Sequence, residues 1–354
     1  MAFVTDDTGE IFIVPDADAL RRSSRWARRA RAKIVAKTDE LSQPNNKSVL
    51  SRLRYCGVPK NADVEIRWDG KKCFASGLLS CGSIWTCATC SARIRVRREA
   101  DLELAAQRHC EWGGRLAMMT LTVRHKRDMP LTLSLEAILR SWDLLQRRTA
   151  FAGSETTPGL MTHADGFVRA LEVTYGPNGW HPHLHVLMFI RPGVTPSQAQ
   201  ASTLALHEAW QELVTKELGL SPSIERGINF MWFGDDSKTA ATYVTKIAKE
   251  ITFADSKSGL DPMSLLDDTS PKSTAMFIEF ANAMYRKKAM SWSQGLRQWL
   301  LLNLEQTDEE LADDNDQIGE CVGVISAAHW RTLTWREQVG WIEFYEQHRI
   351  YNTT

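Results

Sequence analysis

Three histidines alternate along one short segment, His181-Pro-His183-Leu-His185. Residues two apart in a strand point to the same face, so the three imidazoles share one face while Leu184 and Val186 point into the core. Neutral imidazoles are good ligands for a divalent metal ion. The ordinary alternative is a row of hydrogen-bonded histidines on a solvent-exposed face of a β-sheet.

A carboxylate is expected beside these imidazoles. Gly176-Pro-Asn-Gly179 is a strong turn signal between two strand-like segments, which predicts a hairpin. If the turn centres on its Asn-Gly pair, Glu172 lies opposite His183 and next to His185. One carboxylate and two imidazoles suit Mn²⁺, Mg²⁺ or Zn²⁺ with coordination positions left open. The alternative is a surface glutamate paired with Arg169.

A predicted helix from Ser237 to Ile251 carries a second chemical pair. Tyr243 and Lys246 are three residues apart and therefore share a helix face. Tyrosine is a weak nucleophile, because its pKa is about 10. A nearby ammonium and a metal-bound phosphate would both favour the phenolate. Taken alone, the helix favours a half-buried tyrosine beside a solvated lysine.

Five of the seven cysteines lie within residues 56–90. An odd number and no sign of secretion favour metal binding over disulfides. Cys81, Cys87 and Cys90 form a CxxC-containing cluster, and four thiolates suit structural zinc. Cys56, which Gly57 follows, is the preferred fourth ligand, and Cys73 is its rival. The alternative is a set of free buried cysteines.

Charge is unevenly distributed although the formal net charge is +0. Residues 21–37 hold eight Lys or Arg and no acid, whereas residues 305–320 hold eight acids and no base. A basic arm is a common contact of the DNA backbone, and a solvated basic helix is the alternative. A predicted helix over residues 92–110 begins with four more candidate DNA contacts, Arg93, Arg95, Arg97 and Arg98.

The remaining pattern predicts a mixed α+β protein around an antiparallel sheet, with the histidines on a central strand. We expect a basic flexible arm over residues 1–45, a zinc-binding module and basic helix over 46–110, a domain with the histidine and tyrosine motifs over 111–255 and a helical C-terminal region with an acidic stretch over 256–354. No apolar run is long enough to span a membrane and no signal peptide is evident, so a cytoplasmic protein is expected.

These motifs together resemble the HUH endonucleases, and more narrowly the rolling-circle replication initiators of plasmids from Gram-positive bacteria and actinobacteria. The resemblance is carried by LAMMTLT, EVTYGPNGWHPHLH, ATYVTK and LLSCGSIWTCATCSARI, with Leu265-Leu266 and WSQGLR as further similarities. It covers roughly residues 55–300. Each piece alone is only suggestive, and the combination is specific.

The resemblance implies that His183 and His185 bind Mg²⁺ or Mn²⁺ with an acidic partner, for which Glu172 fits. It implies that Tyr243 attacks the phosphate with help from Lys246, leaving a 5′-phosphotyrosine and a free 3′-hydroxyl. Some members carry a glutamate four residues before the tyrosine for DNA release. That position is Thr239 here, so release must use another group.

The implied partners are origin DNA in single-stranded or hairpin form, a host DNA polymerase and a host helicase. The chain has no GxxxxGK[ST] loop that would mark an ATPase of its own. Two other functions remain open. One is a relaxase or transposase of the same superfamily, and the other is a zinc-dependent DNA-binding regulator without catalysis.

Overall fold

The computed structural model describes residues 2–5, 11–14, 17–42, 48–200, 203–233, 260–313 and 318–350. The predicted helix with Tyr243 and Lys246 lies outside these residues, as does Thr239. Within the described ranges, none of the helices combines the length and apolar character that crossing a bilayer requires.

The described part of the chain is a mixture of helices and antiparallel strands, as the sequence predicts. The strands are β1 (Ala2–Thr5), β2 (Ile11–Val14), β3 (Val64–Trp68), β4 (Cys73–Ser76), β5 (Arg115–Thr122), β6 (Ala164–Gly176), β7 (Gly179–Ile190), β8 (Ile228–Trp232), β9 (Met290–Trp292) and β10 (Glu320–Ile325). The helices are α1 (Ala17–Ser42), α2 (Ala88–Glu111), α3 (Leu131–Leu145), α4 (Thr149–Ala152), α5 (Pro196–Gln200), α6 (Thr203–Leu218), α7 (Ile224–Gly227), α8 (Pro271–Ala283), α9 (Leu296–Trp299), α10 (Asp308–Ala312), α11 (Ala327–Thr332) and α12 (Trp335–Ile350).

The chain divides into two compact units, and each is assembled from separate stretches of sequence. The cysteine unit comprises Met1–Ile94, Leu265–Ala281 and Thr307–Thr354. The histidine unit comprises Arg95–Ser264 and Asn282–Gln306. The four consecutive segments expected from motif and composition divide the chain differently, and they remain a prediction.

The histidine unit is built on a five-stranded antiparallel sheet with the strand order β8-β5-β7-β6-β9. The histidine strand β7 is therefore central, as predicted. It pairs with β5 over its last eight residues and with β6 along its whole length. A strand held on both sides in this way presents its side chains at fixed positions on the two faces.

Helices cover both faces of this sheet. Leu102 and Ala106 of α2 belong to one buried core with Leu187 and Phe189 of β7, on the face that the histidines also share. The opposite face packs against α3, whose apolar residues recur with helical spacing. There the indole of Trp142 makes an edge contact with Phe167 of β6, with ring centroids 5.3 Å apart.

The β6–β7 turn fixes the register of the histidine site. Glu172 pairs with His183, which confirms the predicted register. The turn itself differs by one residue from the expected one, because Gly176 pairs with Gly179 and leaves Pro177 and Asn178 as the turn residues. Gly179 has φ +93°, and a Cβ there would lie 2.6 Å from a backbone oxygen, so this position requires glycine.

The cysteine unit is built on a three-stranded antiparallel sheet with the order β10-β3-β4. Val64 and Ile66 of β3 are fully buried in its core with Trp330 of α11 and Ile342 of α12. Cys73 at the start of β4 lies in the same core. The N-terminal strands β1 and β2 pair with each other as a separate two-stranded sheet.

The structure differs from the expected flexible arm, because α1 is a 26-residue helix with one face buried in the cysteine unit. Trp26, Ala32 and Val35 on that face are almost fully shielded from solvent. Arg22 forms an ion pair with Glu346 of α12 at 2.8 Å. The buried positions of α1 recur every three residues from Trp26 to Val35 and order this helix, but Arg29 is one of them. The density of arginines hides this buried face in the sequence.

The C-terminal region also differs from the expected helical segment, since it supplies two strands as well as helices. β9 pairs with β6 at the edge of the histidine sheet, and β10 pairs with β3 in the cysteine unit. Short strands that pair with distant partners carry little local signal, which is why sequence reasoning missed them.

Candidate metal centres

The central strand β7 holds its three histidines half-buried on one face, and the residues between them are buried on the other. Across the β6–β7 pair, the Glu172 Oε2 atom lies 2.8 Å from Nε2 of His185 and 3.8 Å from Nδ1 of His183. The Glu172 carboxylate therefore lies beside both imidazoles on one face of the sheet. Ligands about 2.1 Å from one metal ion and at right angles to each other are about 3 Å apart. The distance to His185 is close to this value, whereas His183 would have to move nearer to Glu172 to bind the same ion.

Protonation states in this group favour ligation. Burial lowers the pKa of His183 to about 4 although the Glu172 carboxylate acts against the shift, so its imidazole is neutral at pH 7. Burial alone would raise the pKa of Glu172, but the hydrogen bond from His185 and the positive charges around it bring that pKa below its usual value. An ionised carboxylate and a neutral imidazole are the forms that bind a metal ion.

Two polar side chains beside this group were not identified from the sequence. Thr120 of β5 pairs with His185, and its Oγ1 lies 3.3 Å from the Nδ1 atom of that imidazole. His125, just after β5, lies against His181 with ring centroids 3.9 Å apart. Burial and the charge of His125 both lower the pKa of His181. Thr120 stands in the LAMMTLT segment, and alternation along that segment was the signal available for it.

A cation also acts on this group from the helix above it. Arg95 stands seven residues before Leu102, on the face of α2 that packs on the sheet. Burial lowers the pKa of Arg95, and the carboxylates of Asp261 and Glu172 oppose that shift. Since an arginine pKa lies far above neutral, the guanidinium stays charged. The histidine face therefore combines a carboxylate, two imidazoles and a nearby guanidinium.

The second candidate centre lies in the cysteine unit and consists of thiols alone. The Sγ atoms of Cys56, Cys81, Cys87 and Cys90 all lie within 4.8 Å of one another, and all four side chains are buried. Three of the Sγ pairs are 3.6 to 3.7 Å apart. Four thiolates at about 2.3 Å from zinc stand about 3.8 Å apart in a tetrahedron, so this cluster could bind a metal ion such as zinc.

Two cations of α1 lie against the thiol cluster. Lys33 Nζ donates a hydrogen bond to the Cys56 carbonyl oxygen at 2.9 Å. Arg29 is only 5% exposed, and a Cβ built on Gly57 would lie 2.6 Å from its guanidinium carbon. Hydrogen bonds from the other three thiols and, to a lesser degree, Arg29 hold the pKa of Cys56 below its usual range. A zinc ion with four thiolates carries two negative charges, which these two cations offset.

The sequence is also similar to known proteins. A family model described as replication protein matches residues 83–339. The chain belongs to this replication protein family. Protein rep of Streptomyces lividans is 26% identical over 309 residues, which cover 68% of this chain and 67% of that protein. The neomycin resistance protein of Streptomyces cyanogenus is 30% identical over 142 residues, which cover 33% of this chain and 31% of that protein. No solved structure matches the chain.

The region shared with the replication protein family includes the whole β6–β7 hairpin and two of the four clustered cysteines, Cys87 and Cys90. It also includes Tyr243 and Lys246, which lie outside the described residues. The remaining cysteines are separate from the cluster. Cys73 lies in the core under β4, Cys110 is half-buried at the end of α2 and Cys321 is exposed on β10.

The arginines predicted to contact DNA are partly or fully buried, or they form hydrogen bonds within the chain. Arg98 is buried, and Arg93, Arg95 and Arg97 are half-buried. On α1, Arg28 donates to Asp267 at 2.9 Å. Contacts within the chain thus account for part of the basic charge that the sequence analysis assigns to a DNA-binding arm.

Proposed function

We propose that this replication protein starts rolling-circle replication of a plasmid by nicking one DNA strand at the origin. The supporting observation is the β6–β7 register, which brings the Glu172 carboxylate to 2.8 Å from His185 and opposite His183 in a chain of this family. In this proposal Glu172, His183 and His185 hold Mg²⁺ or Mn²⁺, and the domain is of the HUH type.

The residues present fit such an ion. The His185 Nε2 atom would exchange its hydrogen bond to Glu172 for the metal, and its Nδ1–H would then donate to Thr120 Oγ1. A metal-bound imidazole is commonly oriented in this way by a partner at its other nitrogen. When bound, the ion supplies a Lewis acid that polarises a non-bridging oxygen of the scissile phosphate.

The nucleophile proposed is Tyr243, on the basis of the sequence motif and the family alone. Its phenolic oxygen forms a bond to phosphorus, and the bond between phosphorus and the 3′ oxygen breaks. The phenol loses one proton and the leaving oxygen gains one as a 3′-hydroxyl, so protons balance. Lys246, three residues on, would favour the phenolate. The phosphotyrosyl ester conserves the phosphodiester bond energy, so rejoining needs no ATP.

Arg95 is proposed to orient the phosphate. Its guanidinium stays charged and acts on Glu172 from the helix above the histidine face. A planar guanidinium can bind two phosphate oxygens at once. This role replaces a contact to the outer DNA backbone as the main one proposed for Arg95, since the side chain is half-buried.

The cysteine cluster is proposed to hold a structural Zn²⁺ ion through Cys56, Cys81, Cys87 and Cys90. Four protein ligands leave no open position, so this ion would stabilise the fold and take no part in the nicking reaction. The proposed partners are single-stranded or hairpin origin DNA, a host helicase and a host DNA polymerase, with action in the cytoplasm.

A covalent-adduct assay tests this function. The purified chain is incubated with Mn²⁺ or Mg²⁺ and a labelled single-stranded oligonucleotide from the origin of its own element. We expect an adduct that survives denaturing electrophoresis with wild type and with the matched control Tyr55→Phe, and none with Tyr243→Phe or His183→Ala. An adduct formed by Tyr243→Phe would show that the nucleophile is another residue. Binding of the origin without cutting under any metal would favour a non-catalytic regulator.

A further inference from the structure

A cavity of about 480 Å³ opens in the histidine unit beside α3, β6 and the segment that leads into and out of β9. β6 contributes Phe167 and Arg169, which alternate with the residues of the Glu172 face and therefore point to the opposite face of the sheet. The cavity is thus separate from the histidine face. Its volume falls within the range of about 300–1,000 Å³ that is usual for small-molecule sites.

The lining of this cavity is strongly cationic. Four basic side chains line it, against a single carboxylate from α3. The basic residues are Arg169, Arg286, Lys287 and Lys288, and the acid is Asp143. The backbone at Arg286 has φ +60°, a left-handed conformation that is strained for a residue with a side chain. Strain of this kind is concentrated at functional sites, and here it lies where the basic segment turns along the cavity.

Arg169 is the strongest indication of a missing ligand. Its side chain is 7% exposed, and its Nε atom donates to Ser291 Oγ at 3.1 Å. The buried Nη1 atom has no hydrogen-bond partner among the described residues. A buried charged donor without an acceptor is costly, so the structure calls for an acceptor at this place.

The ligand must supply an oxygen acceptor and negative charge, because the unpartnered Arg169 Nη1 atom is a donor and the lining of the cavity is cationic. We propose that this cavity binds a backbone phosphate of a single DNA strand, as a second contact remote from the histidine face. Arg169 would contact the phosphate oxygens through its planar guanidinium, with the three basic residues 286–288 adding charge at the rim. DNA is favoured over a free anion because the chain belongs to a replication protein family.

Binding without nicking tests this site. Fluorescence anisotropy of a labelled 20-nucleotide single strand is measured in EDTA over a range of salt, with the full chain. We compare Arg286→Gln/Lys287→Gln/Lys288→Gln with the matched control Lys71→Gln/Lys72→Gln/Lys216→Gln, whose three lysines are exposed elsewhere. We expect the cavity variant to bind about tenfold or more weakly, and the salt slope to fall by about 0.7 for each phosphate that it no longer neutralises. The affinity of the control should change less than about twofold.

Arg169, the buried basic residue of the cavity, is tested by a separate variant. Arg169→Lys keeps the charge and removes the planar fork, so we expect weaker binding of the oligonucleotide with an unchanged melting temperature. If the cavity variant and the control lose affinity equally, or if neither changes, the proposal is wrong. A further outcome is that calorimetry shows no binding of inorganic phosphate to the cavity variant, although wild type binds it, while the variant still binds the oligonucleotide normally. In that case the site takes a free anion and the DNA assignment is overturned.

The result is independent of the nicking proposal. EDTA prevents metal-dependent cleavage, and a Tyr243→Phe chain should bind through this cavity as wild type does. Loss of nicking with binding at the cavity intact would contradict only the proposed function. Normal nicking with no effect of the cavity variant on binding would contradict only the second DNA contact.

Discussion

The two candidate metal centres are built in opposite ways. The cysteine cluster is closed, with four buried thiols of one type and two cations of α1 against them. The histidine face is half-exposed, and a single carboxylate oxygen, Oε2 of Glu172, lies near its two imidazoles. A closed set of four ligands keeps its ion, whereas an open set leaves room for a substrate oxygen. The contrast supports the proposals that the first centre holds a structural ion and that the second takes part in nicking.

The largest expected effect comes from Cys87→Ser, because Cys87 is fully buried among the other three thiols. Apparent binding free energies of structural zinc are about 10–16 kcal/mol, which is comparable to the whole stability of a domain. We expect loss of bound zinc and unfolding of the cysteine unit, measured by metal analysis and circular dichroism. Cys321→Ser, at an exposed thiol, is the control and should retain both zinc and fold.

His183→Ala should separate activity from stability. Its imidazole is half-buried on the open face, so we expect nicking to fall by about a hundredfold or more, beyond the roughly 10–100-fold cost of an outer-shell change. The melting temperature should stay within a few degrees of wild type. A matched decrease in melting temperature would mean that the histidine face is structural, and the contrast between the two centres would fail.

Thr120→Val tests the same comparison between the two centres, with a smaller expected effect on activity. Valine keeps the β-branched shape that suits β5 and removes the oxygen 3.3 Å from His185 Nδ1. We expect the affinity for Mn²⁺ to fall by about 10–100-fold, measured by metal titration of nicking, while zinc content is unchanged. An unchanged Mn²⁺ affinity would show that Thr120 does not orient His185.

Arg29→Met tests the charge balance at the closed centre. Removing one of the two cations should leave the cluster folded but weaken zinc retention by about tenfold or more, since the attraction between buried opposite charges is worth at least about 1.4 kcal/mol. The measurement is the rate of zinc release to a chromogenic chelator. Arg25→Met, on the same helix, is the control, and equal release from both variants would remove the role assigned to Arg29.

The smallest effect is expected from Cys73→Ala. This thiol belongs to β4, points into the core and is not part of the cluster, so its loss should cost about 1 kcal/mol of unfolding free energy. The zinc content should stay at one ion per chain. Loss of zinc in this variant would mean that Cys73 serves as a ligand in solution.

The sequence predicted local features well where one short segment carried the whole signal. Alternation and a Gly-Pro-Asn-Gly turn gave the Glu172–His183 pairing, and β7 was expected to be central. The choice between Cys56 and Cys73 needed the structure, because each cysteine adjoins a strand or turn in the sequence and only packing separates them. The pairings of β9 and β10 join residues far apart along the chain, so no local pattern encodes them. The site as predicted also depends on Tyr243, which lies outside the described residues.

The pairing of β3 with β10 has a consequence for synthesis. All four clustered cysteines have been added to the growing chain by residue 90, but β10 spans residues 320–325. Until the ribosome reaches β10, β3 and β4 form only a hairpin, and an isolated hairpin is at best marginally stable in water. We therefore expect zinc capture on the nascent chain to protect the cysteine unit, so that zinc supplied during translation raises the yield of folded protein more than zinc added afterwards.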